Sequence, residues 1–147
     1  MSKHIFKNHN KTLLLYHIVC PAKYRRKIFT DEVESTLKKV CLEIQERYEI
    51  IFVEIGADED HIHFLVQSVP TWDVRKIVTT IKSITAKQIY LHHPDVKKFL
   101  WGGNIWTSGY YANTVGQYGN EKTIQRYVQN QGGKYKQIHR GQLYLDV

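Results

Sequence analysis

The sequence has little cysteine, no long apolar run and fewer acidic than basic residues. Its two cysteines, Cys20 and Cys41, lie in apolar surroundings, which excludes a disulfide framework and a cysteine-based zinc site. The apolar run from Leu13 to Cys20 is far shorter than the roughly 20 residues that span a bilayer. The segment 1–10 also lacks the apolar core of a signal peptide. We therefore expect a reduced protein that stays in the cytoplasm.

The charge balance favours a partner that is rich in phosphates. The 147 residues include 21 Lys and Arg against 14 Asp and Glu, for a net charge of +7. Such a balance is typical of nucleic-acid-binding proteins, although solubility alone could also account for it. Ten tyrosines and three tryptophans add planar surfaces on which unpaired bases could stack, and most of them will be core residues. The length indicates one domain, residues 1–147.

The hydrophobic periodicity predicts the order strand, helix, strand, strand, helix, strand. This order is typical of the split βαβ arrangement, an α+β fold (ferredoxin-like or RRM-like) with an antiparallel sheet and both helices on one face. The other face would be open. The predicted elements are a central strand Lys11–Cys20, a helix from about Thr30 to Tyr48 capped by Asp31, a hairpin of Ile50–Ile55 and His61–Ser68, a helix from Asp73 that ends at His92-His93-Pro94, and a turn and strand within Leu100–Tyr111.

The C-terminal part predicts one additional helix. Asn120 can cap it, and it runs from Glu121 to Gln131 before Gly132-Gly133 ends it. Its apolar stripe is small, so the segment 117–133 should dock weakly and move as a unit on its flanking glycines. The segment 1–10 is a polar lead, and 134–147 is a basic tail with a strand predicted at Leu143–Leu145.

Two histidines in a strand pattern form the first candidate site. Side chains alternate faces along a strand, so His61 and His63 project from the same face. Neutral imidazole is a common metal ligand, and two at this spacing can share one divalent ion. Paired histidines on a half-exposed strand are also often ordinary polar residues, and this alternative stays open. We expect His17, on the first strand, to lie near the site.

A second candidate group lies on the C-terminal helix. Tyr127 and Gln131 are four residues apart and share a helix face. A metal held by histidines can polarise a phosphodiester, and a tyrosine phenolate can then attack the phosphorus to form a phosphotyrosine. The amide oxygen of Gln131 could serve a hard ion such as Mg²⁺. With ten tyrosines in the chain, a structural role for Tyr127 is the alternative.

Several cations are candidates for contacts with a nucleic-acid backbone. Four of them surround one aromatic residue in the stretch 23–27, and two more lie off the apolar stripe of the second helix. A solvated loop is the alternative for the first group. The candidates are Lys23, Tyr24, Arg25, Arg26, Lys27, Lys82 and Lys87.

Four segments together resemble a known family. The chain is similar to the small single-tyrosine HUH transposases of bacterial and archaeal insertion sequences, in order and over nearly its whole length. The pair Thr107-Ser108 departs from the family pattern, which has a more acidic or polar pair there. The segments are Pro21–Phe29, His61-Ile62-His63, Leu100–Tyr111 and Arg126–Gln131.

The resemblance implies a site and a reaction. His61, His63 and Gln131 would bind Mg²⁺ or Mn²⁺, and Tyr127 would be the nucleophile. Such enzymes cut single-stranded DNA at the ends of their element, leave a 5′-phosphotyrosine and a free 3′-hydroxyl, and recognise imperfect hairpins. They act as homodimers in which the tyrosine helix of one subunit completes the histidine site of the other.

Three other readings of the sequence remain. A non-catalytic single-stranded nucleic-acid-binding domain would bind without metal and form no covalent adduct. The second alternative is a small metal-dependent phosphoesterase or nucleotide hydrolase. A histidine-triad hydrolase would need a third alternating histidine, but that position is Leu65. A domesticated relative that processes chromosomal hairpin repeats would share all of the candidate residues.

Overall fold

Five strands and three helices make up the part of the chain that the computed structural model describes, residues 14–58, 60–101, 103–115 and 136–141. None of these helices is long and apolar enough to cross a membrane. The elements are β1 (Leu14–Pro21), α1 (Asp31–Arg47), β2 (Ile50–Ala57), β3 (His61–Ser68), α2 (Val74–His92), α3 (Pro94–Phe99), β4 (Tyr111–Thr114) and β5 (Lys136–Arg140).

The strands form one antiparallel sheet in the order β4-β1-β3-β2-β5. The first four strands have the order of the split βαβ arrangement, which confirms the predicted fold class. The predicted hairpin of β2 and β3 is present, with Gly56 opposite His63. On its other side β3 pairs with β1, where Val19 lies opposite His63. The histidine strand is therefore the centre of the sheet.

Both long helices begin at a side chain that accepts a backbone hydrogen bond. The hydroxyl of Thr30 accepts from the Val33 N–H at 3.3 Å, so Thr30 is the N-cap of α1. The prediction of Asp31 as the cap is wrong, because Asp31 is the first helical residue. Its carboxylate remains in the first turn, where negative charge is favourable. In α2 the Asp73 carboxylate accepts from the Lys76 N–H at 2.8 Å.

The core lies between the helices and one face of the sheet. Ile18, Phe52 and Phe64 point from three neighbouring strands into this layer and are fully buried. The alternate residues of the same strands point to the other face, which carries the two histidines. That face is not open as predicted, because Ile51 and Leu65 on it are also buried. Cys20 and Cys41 are both buried and free, as expected for a reduced core.

The segment after α2 differs from the prediction. Pro94 begins a short helix, α3, that was not predicted, and the following strand starts only at Tyr111. Between them, Trp106 is buried and its indole N–H donates to the Thr85 hydroxyl at 3.0 Å. The Thr107 N–H donates to the Pro21 carbonyl. The pair Thr107-Ser108, which differs from the family pattern, therefore lies beside the end of β1.

Several predicted elements lie outside the described residues. These are the polar lead 1–10, the start of the first predicted strand, the tyrosine helix at 117–133 and the strand at 143–145. Conversely, β5 was not predicted. It pairs with β2, at the edge away from β3.

Candidate active site

Three side chains of the types that can bind a metal ion converge at the tip of the β2–β3 hairpin. The Asp58 N–H donates to the His61 carbonyl at 2.9 Å and closes the turn. The Asp58 carboxylate Oδ2 lies 2.8 Å from Nε2 of His61 and 3.8 Å from Nε2 of His63. One ligand atom from each of the three residues lies within 4.8 Å of the others. We call Asp58, His61 and His63 the hairpin cluster.

The first histidine of the cluster is oriented by a carboxylate. The Nδ1 of His61 lies 2.8 Å from Oδ1 of Asp60, and the other oxygen of Asp60 accepts from Nε of Arg25 at 3.1 Å. The hydrogen bond with His61 lowers the pKa of Asp60. With its proton on Nδ1 against Asp60, His61 would offer the Nε2 lone pair to a cation bound between this ring and Asp58.

The second histidine is oriented by His17 on β1. The two rings stack with centroids 5.3 Å apart, and Nε2 of His17 lies 3.0 Å from Nδ1 of His63. His17 in turn has a hydrogen bond with the side chain of Asn113 on β4. A proton on Nδ1 of His63 would occupy this contact and leave Nε2 as the ligand atom. The expectation that His17 lies near the site is confirmed.

The protonation of these histidines suits a metal site. Burial, with the neighbouring charges of His61 and His17, lowers the pKa of His63 to about 4. Burial also lowers the pKa of His17. At neutral pH both rings are therefore uncharged, and the uncharged imidazole is the form that binds metals.

The donor set of the hairpin cluster fits a divalent cation. It combines two imidazole nitrogens with one carboxylate oxygen, and all three side chains are partly exposed, at 19%, 14% and 35% for His61, His63 and Asp58. Carboxylates and water suit Mg²⁺ and Mn²⁺, while imidazole suits several transition metals. Sequence reasoning missed Asp58 as a candidate ligand and treated it only as part of an acidic turn. Its place three residues before the first histidine in a tight turn was the available signal.

The basic stretch 23–27 lies against the hairpin cluster. Lys23–Arg25 form a short 3₁₀ turn, and the Ala22 N–H at its start donates to the Asp60 carbonyl at 2.7 Å. Arg25 contacts Asp60 directly, as described above. The stretch therefore begins as a turn beside the histidines, and Tyr24, Arg25 and Lys27 within it are exposed to solvent.

The two lysines of α2 are placed differently. The Lys82 ammonium donates to the carbonyls of Thr107 and Gly109, both at 2.8 Å, and burial lowers its pKa. It therefore fixes the loop that precedes β4. Lys87 is exposed on the same helix, in the layer on the opposite side of the sheet from the histidines. A DNA contact at either lysine stays a prediction.

The other two predicted site residues, Tyr127 and Gln131, lie outside the described residues. Their roles stay predictions.

Comparisons with known proteins agree on one family. The family described as "Transposase IS200 like" matches residues 10–131. The ISDra2 transposase TnpA of Deinococcus radiodurans is 32% identical over 123 residues, which cover 82% of this chain and 86% of that protein. The transposase for insertion sequence element IS200 of Salmonella typhimurium is 32% identical over 127 residues, 84% of this chain and 80% of that protein.

Solved structures show the same similarity. A crystal structure from Deinococcus radiodurans R1, described as that of a transposase, superposes with a TM-score of 0.69 at 28% identity and covers 89% of this chain and 98% of that one. A structure of a REP-associated tyrosine transposase bound to a REP hairpin has a TM-score of 0.50 at 13% identity, with 87% and 68% covered. The second likeness shows the fold alone.

Proposed function

Because the chain belongs to the IS200-like transposase family, we propose that it cuts and rejoins single-stranded DNA at the ends of an insertion sequence, with Tyr127 as the nucleophile. Family membership confirms the resemblance in the sequence and makes the protein a transposase, an enzyme that cleaves and transfers DNA strands. The observation that carries the proposed site is the hairpin cluster, in which Asp58, His61 and His63 converge within 4.8 Å.

The hairpin cluster would hold the divalent ion. The Nδ1 atoms of His61 and His63 contact the side chains of Asp60 and His17, and their Nε2 atoms face Asp58. Gln131 is the further ligand that the family resemblance implies. A bound Mg²⁺ or Mn²⁺ would supply Lewis-acid polarisation of the scissile phosphate. Asp58 adds a negative charge that a divalent cation balances and that, without a cation, would repel the phosphate.

The reaction is a phosphodiester exchange. The phenolate oxygen of Tyr127 would form a bond to phosphorus while the bond to the 3′ oxygen breaks, and that oxygen would leave as a free 3′-hydroxyl after taking up a proton. One phosphodiester replaces another, so a DNA 3′-hydroxyl can later reverse the exchange without ATP. Arg25 and its basic neighbours in the stretch 23–27 lie beside the cluster and would neutralise the flanking phosphates.

Recognition and assembly extend this proposal. We propose that the DNA substrate carries hairpin ends, since the family resemblance implies it and a protein of the same fold has been solved with a REP hairpin bound. The chain would form one domain and act in the cytoplasm as a homodimer. In that dimer the segment 117–133 of one subunit would bring its tyrosine to the hairpin cluster of the other.

The test is covalent capture of labelled single-stranded DNA that carries an element end. The full-length protein is incubated with Mg²⁺, Mn²⁺ or EDTA and analysed by denaturing gel electrophoresis. We expect a metal-dependent covalent band that Tyr127→Phe removes, because phenylalanine has no nucleophilic oxygen. Asp58→Asn should weaken the band, while Glu43→Gln, at an exposed position on α1, should not.

Each alternative gives a different pattern on this gel or on a native gel of the same mixtures. A band that persists in Tyr127→Phe would assign the attack to another residue. A band that persists in EDTA would remove the metal from the mechanism. If no covalent band forms under any metal condition while a native gel of the same mixtures still shows protein-bound DNA, the protein is a non-catalytic single-stranded DNA-binding module.

A further inference from the structure

Three exposed aromatic side chains lie together although they come from distant parts of the chain. Tyr24, Phe99 and Trp101 are 60%, 48% and 73% exposed. The rings of Tyr24 and Trp101 meet edge to face with centroids 5.9 Å apart. The guanidinium carbon of Arg26 lies 4.8 Å from the Phe99 ring centre and 4.6 Å from that of Trp101. We call these four residues the aromatic patch.

The backbone at the aromatic patch is strained. Tyr24, Arg25 and Trp101 have φ angles of 57°, 52° and 54°, and they account for every positive φ at a non-glycine residue in the described part of the chain. Bulky residues avoid this conformation, and such strain clusters at functional sites when surrounding contacts hold it. Here the Lys23 N–H donates to the Ile105 carbonyl at 2.6 Å and helps to fix the turn. The fold thus holds large apolar rings at the surface in an unfavourable backbone conformation.

Positive charge surrounds these rings. The Lys23 ammonium lies 5.5 Å from the centre of the Tyr24 ring, and the end of α3 adds two exposed lysines beside Trp101. Planar rings bordered by cations match a nucleotide, which combines a flat base with a phosphate. A depression of about 600 Å³ adjoins the patch and is lined by Pro94, Asp95, Lys97, Lys98 and Trp101.

The aromatic patch is tied to the hairpin cluster. Arg25, next to Tyr24, donates to Asp60, and the other oxygen of Asp60 contacts His61. The turn that presents Tyr24 is therefore two contacts away from the first histidine. A single strand bound with its phosphate at the cluster and running towards this turn would bring its neighbouring nucleotides to the patch.

We propose that the aromatic patch stacks an unpaired base of the DNA strand that enters the hairpin cluster. This proposal rests on the proposed function for the position of the strand. The occupant is single-stranded DNA, because the bases of an intact duplex are stacked on each other and do not offer a free face to Trp101. Arg26 would stay against the rings, where it places one positive charge beside the adjoining phosphate.

The test measures DNA binding without cleavage. A fluorescein-labelled oligothymidylate and a labelled blunt duplex are titrated with full-length protein in EDTA and followed by fluorescence anisotropy. Loss of one stacked base typically weakens binding about 5- to 150-fold. We expect this loss for Trp101→Ala on oligothymidylate, with little change on the duplex. Trp101→Phe should retain most of the binding, and Leu91→Ala, at a site 66% exposed on α2, is the control.

The proposal fails if Trp101→Ala binds oligothymidylate as the wild type does, or if it weakens duplex binding equally. Thermal unfolding checks that Trp101→Ala is folded. If it is not, the binding of Tyr24→Ala is measured instead and judged by the same two criteria. The covalent-capture gel separates this proposal from the proposed function. If the wild type forms the adduct but Trp101→Ala binds oligothymidylate normally, the stacking site is refuted and the cleavage reaction stands. If Trp101→Ala selectively loses binding but the wild type forms no adduct, the cleavage reaction is refuted and the stacking site stands.

Discussion

Glu54 is a carboxylate buried near the middle of the sheet. Its side chain is 2% exposed, and neither oxygen has a hydrogen-bond partner among the residues that the structure describes. It lies where the register of β2 shifts, between Leu65 on β3 and Arg140 on β5. Burial raises the pKa of Glu54 from 4.5 to about 7, and the charge of Arg140 only partly opposes this shift.

The raised pKa makes stability fall as the pH rises. The folded protein holds the Glu54 proton more tightly than the unfolded chain does. Its contribution is therefore complete below the unfolded pKa of 4.5 and is lost as the pH passes through about 7. One pKa unit corresponds to about 1.4 kcal/mol, so the free energy of unfolding should lose about 3 kcal/mol from this residue between about pH 4 and pH 8.

The assay compares wild type with Glu54→Gln, whose side chain does not ionise. Urea unfolding is followed by far-ultraviolet circular dichroism across the pH range, with Glu43→Gln as the matched exposed control on α1. The lowered pKa values of His17, His63 and His139 act in the opposite direction, and they cancel in the difference between the proteins.

We expect the stability of the wild type relative to Glu54→Gln to fall by about 2–3 kcal/mol from acidic to alkaline pH. Glu43→Gln should instead run parallel to the wild type. Parallel curves for all three proteins would refute the reasoning, because they would mean that Glu54 ionises equally easily in the folded and unfolded states.

Two further predictions follow from the contacts around the site. Asp60→Ala removes the carboxylate that orients the first histidine of the cluster, so Mn²⁺ affinity measured by calorimetry should fall about 10- to 100-fold. An unchanged affinity would show that the histidine is held by other contacts. Lys82→Met leaves two loop carbonyls without their charged donor, so the free energy of unfolding should drop by about 1–3 kcal/mol. Lys87→Met is the exposed control on the same helix. Equal effects of the two substitutions would contradict the role of Lys82 in the loop.

The periodic elements were predictable from the sequence because their apolar patterns are local. His61–Ser68 matches β3 at both ends, and α1 and α2 differ from their predictions by only one residue or so at the ends that were named. By contrast, β5 (Lys136–Arg140) has a mostly polar sequence with one apolar residue, Ile138. Its strand conformation comes from pairing with β2, a partner far away in the chain, which no local pattern reveals.

The candidate site was predictable to a similar degree. The alternation of a strand put His61 and His63 on one face, but their supporting side chains depend on tertiary contacts. His17 reaches His63 across 46 residues of sequence, and only the register of β1 against β3 brings it there. Asp58 is close in sequence, yet its role depends on the shape of the turn.

The aromatic patch illustrates the same limit. The basic stretch 23–27 was predicted as a DNA-binding segment from its charge. Its aromatic partners depend on α3, a helix that was not predicted: Phe99 is the last residue of α3, and Trp101 follows it. The positive charge could be predicted from the sequence. The cluster of aromatic rings that it surrounds could not, because it depends on the fold.

The position of the hairpin cluster has a consequence for folding order. Its three side chains lie within six consecutive residues, 58–63, at the tip of one antiparallel hairpin, so only a short loop must close to bring them together. His17 must wait for the pairing of β1 with β3, a contact that closes a much longer loop and is correspondingly slower to form. We therefore expect the three side chains of the hairpin cluster to come together first, when the hairpin forms. His17 should contact His63 only later, when β1 has paired with β3.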